Sequence, residues 1–542
     1  MPLAAKPVVA RRTATPGDAG LKTGKTVGDM SIFDQFINAA QPASEGKSLF
    51  DQFVNLAGGA EPIPPSTPCC VVPSPGTVFW GMENIPLRAA RTHFVIVGTA
   101  GSGKTLSIRL FLQSIAERVR PPNTERLILF DPKRDMLSVL AGIGFKEKDI
   151  IILNPFDKRS HAWDIAQDIK NPAQAHYLGD LLIPEEPQSS APYFWRAARQ
   201  LTTAAVTAMI QTRPGNWTLL DLLCVLALKE RLVRLIGKDT FAQYLAENFI
   251  KDERHIDATL SHIATNVGQL SLVAALWQHS SRKISLLSSF NSGVVVLADH
   301  PIAHHRVAPI NALILQILSD QALSGPETED QKAWFVLDEF RWMEKIPCVG
   351  QLLNQGRSKG VSVVLGLQDL EGLKVVYKQD GANEILSGCN NKSFLRISNP
   401  ATSKWAQENF EQKEQTEYNR ARTTNDKPGN NSTTDSARIE TRPLFLAAVF
   451  RDLRYPELGY LEGIHDIPIT GRVSRTCESF STVLNMLRPI DPNFINEETR
   501  DAEDQRFIPW TKQDEQAFLG TQDFSPDNPL AGLKPRTKPK NP

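Results

Sequence analysis

The sequence predicts an α/β fold: a doubly wound, mainly parallel sheet interrupted by an all-α block, with unstructured tails at both ends. Three observations carry this. Short apolar runs bounded by polar turns recur along the chain, among them HFVIV (93–97), LILFD (127–131) and AWFVLDEF (333–340). They lack polar alternation, as strands buried on both faces do. Each is followed by a helical pattern, most clearly LSIRLFLQSIAERV (106–119) after a Gly-rich turn. Between about 160 and 285 the strand pattern stops and helical periodicity takes over.

Taken in order, residues 1–75 are rich in Pro, Ala, Gly, Ser and Thr and end in EPIPPSTPCCVVPSP, which predicts a disordered tail. From Gly76, TVFWGMENIPL reads as a short strand and turn, followed by the strands HFVIV, LILFD and DIIIL (149–153). The helical block comprises YFWRAARQLTTAAVTAMIQ (193–211), LLDLLCVLALKERLVRLIG (219–237), TFAQYLAENFI (240–250) and the run from Ile256 to Trp277. Strands resume with GVVVLAD (293–299), AWFVLDEF, VSVVLGLQ (361–368) and KSFLRIS (392–398). Residues 419–440 read as a flexible polar loop, and RPLFLAAVF (442–450) as a final buried strand. Beyond about 490 the chain is polar and acidic, and it finishes in LKPRTKPKNP. The expected organisation is a tail at 1–75, a nucleotide-binding unit from 76–160 and 286–475, an all-α domain at 160–285, and a largely disordered extension at 476–542.

Composition narrows the function class. A chain of 542 residues exceeds one ordinary core, and 41% hydrophobic with 22% charged residues is average for a soluble globular protein. No run approaches the eighteen apolar residues of a membrane span, and the N-terminus lacks a signal-peptide apolar region. Sixty Lys and Arg balance sixty Asp and Glu, so any nucleic-acid surface must be local. Cys69, Cys70, Cys224, Cys348, Cys389 and Cys477 show no CxxC spacing, which predicts a reduced, cytoplasmic chain without structural zinc.

The chemistry-bearing signal is Gly98-Thr99-Ala100-Gly101-Ser102-Gly103-Lys104-Thr105, a complete GxxxxGK[ST] between a strand and a helix. Glycines let backbone N–H groups curl around a polyphosphate, and the helix N-terminus adds partial positive charge. Lys104 is expected on the β- and γ-phosphates of ATP, and Thr105 on Mg²⁺. Trp334-Phe-Val-Leu-Asp338-Glu339 delivers two acids at the end of a buried strand. Asp338 is expected to hold Mg²⁺ through water and Glu339 to polarise the attacking water. Gln368 ends the next strand, where an amide orients water or simply caps the strand. Arg357 lies between those strands, as a finger for a neighbouring subunit's phosphates or as a surface arginine. Asp131-Pro-Lys133-Arg134 lines the nucleotide cleft or is a polar loop; both readings stand. Asp299-His300 and His304-His305 match no metal spacing and read as a loop with histidines.

The tail carries a repeat. Ser31-Ile-Phe-Asp-Gln-Phe-Ile-Asn38 recurs as Ser48-Leu-Phe-Asp-Gln-Phe-Val-Asn55. Phe33 and Phe36, then Phe50 and Phe53, fall on one face of about two helical turns, which are marginal alone in water. The reading is a bivalent docking peptide for an unknown protein partner; the alternatives are a hairpin on the chain's own core or a membrane-surface segment.

The segments IPLRAARTHFVIVGTAGSGKT, ILNPFDKRSHAWD, PYFWRAARQL, AWFVLDEF and LLNQGRSKGVSVVLGLQDLEGL, together with the helical insertion, resemble the type IV secretion coupling proteins of the TraD/TraG group. The resemblance runs from about Gly81 to Thr470. It implies a RecA-like P-loop domain carrying a small all-α domain, and a hexameric ring with DNA in its channel. It implies ATP between subunits and hydrolysis coupled to DNA translocation, with a relaxase as possible cargo. Lys104, Thr105, Asp338, Glu339, Arg357 and Gln368 carry over by position. Family members usually begin with transmembrane helices, where this chain has a repeat-bearing tail. The expectation is therefore a cytoplasmic ring, recruited to the inner face of the membrane by a partner or working free of it. A cytosolic HerA/FtsK-like DNA motor and a nucleotide-switched scaffold remain the rival functions.

Overall fold

The computed structural model describes residues 76–520, except 185–191, 251–254, 289–292, 344, 347, 411, 424–431, 492–493, 495–497 and 502. The phenylalanine repeat and the basic C-terminus lie outside the described residues. The chain opens with an antiparallel hairpin, β1 (Thr77–Trp80) and β2 (Glu83–Pro86). Then come β3 (Phe94–Val97), α1 (Lys104–Val119), β4 (Arg126–Asp131), α2 (Met136–Gly142) and β5 (Ile150–Leu153). The two-residue strands β6 (Ala162–Trp163) and β7 (Lys283–Ile284) pair in parallel across the helical block. That block contains α3 (Pro172–Leu182), α4 (Pro192–Thr212), α5 (Leu219–Leu226), α6 (Lys229–Ile236), α7 (Thr240–Ile250), α8 (Ile256–Asn266) and α9 (Ser271–Gln278). The sheet continues through β8 (Gly293–Ala298), β9 (Ala333–Leu337), β10 (Val361–Leu367) and β11 (Asn391–Phe394). After β12 (Gln412–Thr423) and β13 (Ser432–Pro443) follow α10 (Ala447–Asp452), β14 (Tyr460–Ile467), β15 (Arg472–Ser479) and α11 (Lys512–Leu519).

Among the described residues the main sheet has nine strands in the order β15-β14-β11-β3-β10-β9-β4-β8-β5. Pairings from β5 to β11 are parallel, and β14 and β15 add an antiparallel edge. Successive residues of a strand point to opposite faces, and both faces are apolar here. Val95, Phe335 and Leu365 enter one core with the helical block, whereas Phe94, Trp334 and Val364 enter another with α1. Double-sided burial explains why the strand runs read as continuous hydrophobics.

The helical block forms around α4, whose Ala197, Ala198, Leu201, Ala204, Ala205 and Ala208 are buried. Small residues on that stripe let α3, α7 and α8 pack closely against it. The LLDLLCVLALKERLVRLIG run is two helices, because the chain breaks at Ala227 and Leu228 between α5 and α6.

Three expectations need correction. Residues 412–423 and 432–443 form a long antiparallel ribbon, where the sequence suggests a flexible loop from 419. In sequence its strands mix Thr, Tyr and Ile with charged residues in no regular alternation, so no periodic signature announces the pairing. The run 442–450 is not a buried strand: Arg442 and Pro443 end β13, and the chain then bends and enters α10, so that Phe445 and Phe450 join Phe394 and Phe410 in an aromatic cluster. The extension from 476 is ordered in part. A Thr511–Asp514 capping box starts α11, Phe518 and Leu519 are buried, and Trp510 donates to Asp221 at 2.9 Å. Glu515 accepts from Arg231 at 2.9 Å and Arg234 at 2.7 Å, tying the helix to α6. Polarity hid this segment because few of its side chains do the packing.

Candidate nucleotide site

The site grows from the C-terminal ends of neighbouring parallel strands, where loops of an open α/β sheet converge. β3 leads into the Gly98–Gly103 loop, with Ala100 and Gly101 exposed at its tip and Ser102 buried. The loop is pinned to the sheet by Gly98 N donating to Leu367 O at 3.1 Å and Thr99 N to Arg396 O at 2.8 Å. Gly103 precedes α1 with φ 101°, and a Cβ there would stand 2.4 Å from Leu461 Cδ1. Both handedness and space therefore demand glycine.

Lys104 is buried, and its ammonium donates to the carbonyls of Gly98 at 2.6 Å and Thr99 at 3.1 Å. Burial lowers its pKa, against the opposing pull of Glu339 and Asp338. Asp338 and Glu339 follow β9 at 1% and 3% exposure. Burial raises the Asp338 pKa, while Lys133 counteracts it. Asp338 Oδ1 accepts from Glu339 N at 3.0 Å, and Glu339 sits in the left-handed region at φ 54°. Gly366 on β10 makes room: a Cβ there would lie 2.8 Å from Asp338 Oδ1.

Gln368 closes the far side, its Nε2 donating to Glu339 Oε2 at 2.8 Å. Lys133 enters from the loop after β4. Its Nζ lies 3.3 Å from Thr105 Oγ1, 3.6 Å from Asp338 Oδ2 and 3.3 Å from Glu339 Oε1. Of the two readings of the Asp131-Pro-Lys133-Arg134 loop, the cleft-lining one fits Lys133. Asp131 instead serves the loop itself, accepting from Arg134 N and Met136 N at 2.8 Å. Burial, with Asp135 nearby, pushes the Asp131 carboxyl up to about 7.

The structure thus gathers Lys104, Thr105, Asp338, Glu339 and Gln368 at one point. Arg357 is elsewhere: it is exposed on the 3₁₀ turn Gly356–Lys359, which precedes β10, whereas Gln368 follows it. One strand length, about 20 Å, separates those ends of the sheet. Sequence reasoning missed Arg341, whose charge acts on Lys104 and whose Nη1 lies 3.9 Å from Asp369 Oδ2. It also missed Tyr455, which bonds Thr99 and lies under Arg396. No linear motif marks either residue. The loop reading of the histidines holds only for Asp299-His300, where His300 stacks on Phe156; His304 and His305 instead open the helix His304–Leu323, which begins beyond Pro301, and His304 meets Asp299.

Three oxygens of this site, from Thr105, Asp338 and Glu339, already share one cationic nitrogen, so the donor set suits a cation next to a phosphate-binding loop. Residues 80–471 match the family described as the type IV secretion-system coupling protein DNA-binding domain. The chain belongs to the type IV secretion-system coupling proteins. Coupling protein TraD of Escherichia coli K12 is 20% identical over 331 residues, 59% of this chain and 44% of TraD. The chain therefore spans less than half of that curated relative. The unbound bacterial conjugative coupling protein TrwBΔN70 shares the fold at TM-score 0.61 and 18% identity, over 78% of this chain and 91% of that one. Plasmid coupling protein TrwB in complex with ADP and Mg²⁺ aligns at TM-score 0.56 and 18% identity, over 78% and 91% of the two chains. DNA translocase FtsK of Bradyrhizobium diazoefficiens is 44% identical over only 64 residues, 12% of this coupling protein and 8% of FtsK. The α/β fold expected from the resemblance, a RecA-like mainly parallel sheet with an inserted helical block, is the fold this chain has, and the two TrwB structures share it. Among the described residues no helix of this coupling protein is long and apolar enough to cross a membrane.

Proposed function

We propose that this coupling protein hydrolyses ATP to move DNA, or a DNA-bound relaxase, toward a type IV secretion channel. The observation that carries the reading is the convergence of Lys104, Thr105, Asp338, Glu339 and Gln368 on one cation-binding point in a member of this family. Thr105 and Asp338 would hold Mg²⁺, which would supply charge neutralisation on the phosphates. Residues 98–103 cradle the phosphates, and Lys104 exchanges the Gly98 and Thr99 carbonyls for phosphate oxygens. Glu339, fixed by Gln368, accepts the proton of the attacking water. Arg357, remote from its own P-loop, acts on the site of a neighbouring subunit in a homo-hexameric ring.

In this reading residues 76–160 and 286–475 form the motor and 160–285 the helical domain that engages DNA. The Phe33, Phe36, Phe50 and Phe53 repeat docks a partner that brings a cytoplasmic ring to the inner membrane face. The test is Glu339→Gln in the full chain. Nucleotide binding should persist while DNA-stimulated hydrolysis falls at least about hundredfold, the scale of a general base. Hydrolysis at the parent rate would remove Glu339 from its role. Stimulation by DNA should also fall steeply with salt, since phosphate contacts release counterions. Capture of a relaxase by the full chain separates secretion coupling from an FtsK-like motor.

A further inference from the structure

Lys133 holds a position that the nucleotide reading alone does not explain. Its ammonium reaches Thr105 Oγ1 and Glu339 Oε1 at 3.3 Å and Asp338 Oδ2 at 3.6 Å. These oxygens come from two elements, the start of α1 and the end of β9, and face the loop after β4 that carries the lysine. Two adjacent carboxylates at 1% and 3% exposure are costly to bury without a counter-charge. Lys104 contributes charge but spends its hydrogen bonds on Gly98 and Thr99. Among the described residues Lys133 is therefore the cation in contact with both carboxylates, with Asp135 adding to the field around it.

The lysine is placed to leave. The backbone around it is anchored, because Asp131 accepts from Arg134 N and Met136 N. Its side chain is 42% exposed, and a four-carbon stem can swing into water without disturbing that anchor. A separation of 3.6 Å from Asp338 is also longer than a formed hydrogen bond.

We propose that Lys133 is a built-in cation that neutralises the carboxylate pair and is displaced by Mg²⁺, so that metal loading is an exchange of one cation for another. The proposal rests on the reading of this site as a Mg²⁺–nucleotide site. It has two consequences. The protein tolerates nucleotide without metal, because the carboxylates stay neutralised. The gain in affinity from Mg²⁺ is smaller than it would be without the lysine, because ejecting the ammonium offsets part of it.

The test uses the full chain as wild type, Lys133→Met and Lys133→Arg, with a fluorescent ADP analogue as probe. Its Kd is measured in excess Mg²⁺ and again in EDTA. Lys133→Met should bind more weakly in EDTA and at least as tightly with Mg²⁺. The ratio of the two Kd values should rise about tenfold or more, the scale of one charge contact in a partly buried site. Lys133→Arg should keep the wild-type ratio. An unchanged or smaller ratio in Lys133→Met overturns the exchange. A wild type that binds no ADP analogue even with Mg²⁺ defeats the nucleotide reading instead. In that case the melting-temperature rise caused by Mg²⁺ alone decides: a larger rise in Lys133→Met supports exchange, and an equal rise overturns it. If Lys133→Met does not fold, Lys133→Gln takes its place in both measurements.

Discussion

His93, the residue before the P-loop strand, should make this protein acid-sensitive. It is 1% exposed, its Nδ1 accepts from Val363 N at 3.2 Å, and its Nε2 therefore carries the proton donated to Leu353 O at 3.1 Å. Protonation would put a second N–H against the Val363 N–H. Burial lowers its pKa, and the Arg357 charge adds to that despite the Leu353 bond, from an ordinary 6.5 to about 4. A base depressed on folding contributes stability that is present above the unfolded value and is lost as pH falls toward the folded one. Between pH 7.5 and 5.0 the unfolded chain gains this proton and the folded chain does not. With values of 6.5 and about 4, the loss is about 2 kcal/mol. Chemical denaturation of wild type and His93→Gln at both pH values measures it. The variant should be less stable at pH 7.5, because Val363 N loses its acceptor, but its drop to pH 5.0 should be smaller by about 2 kcal/mol. Equal drops would refute the argument. His465, at 4% exposure and also held down to about 4 by burial, should add a separate loss of the same sign.

Other outcomes follow from the same geometry. Gly366→Ala should push Asp338 aside and lower hydrolysis by about ten- to a hundredfold in a steady-state ATPase assay, with the fold intact by circular dichroism. Arg357→Ala should be inactive alone yet recover part of its activity when mixed with Lys104→Ala, since some interfaces then pair an intact P-loop with an intact arginine. No recovery at any mixing ratio would exclude action in trans. Phe518→Ala should destabilise the helical block by about 3 kcal/mol in denaturant unfolding, having removed the buried anchor of α11. Replacing Phe33, Phe36, Phe50 and Phe53 with Ala should abolish partner capture in pull-downs and leave the ATPase rate unchanged.

Features that rest on short-range pattern were legible in the residues alone. Strands buried on both faces must be apolar throughout, so HFVIV, LILFD and AWFVLDEF were readable as parallel strands. The helical block was readable from its periodicity, and the P-loop from spacing alone, because phosphate cradling needs glycines and a lysine at fixed offsets. Tertiary structure decided which distant residues share one electrostatic environment. Thr105, Lys133, Glu339 and Gln368 meet only because β3, β4, β9 and β10 lie side by side in the sheet. Parallel pairing through crossovers sets that adjacency, and no local motif encodes it. The antiparallel edge β14–β15, the 412–443 ribbon and the docking of α11 were illegible for a related reason. The two hairpins pair strands close in sequence, but those strands mix polar and charged residues with no readable period, while α11 packs its few apolar side chains on segments far along the chain. His93 is a further case: a lone histidine before a strand has no signature, and only burial between Leu353 and Val363 makes it matter.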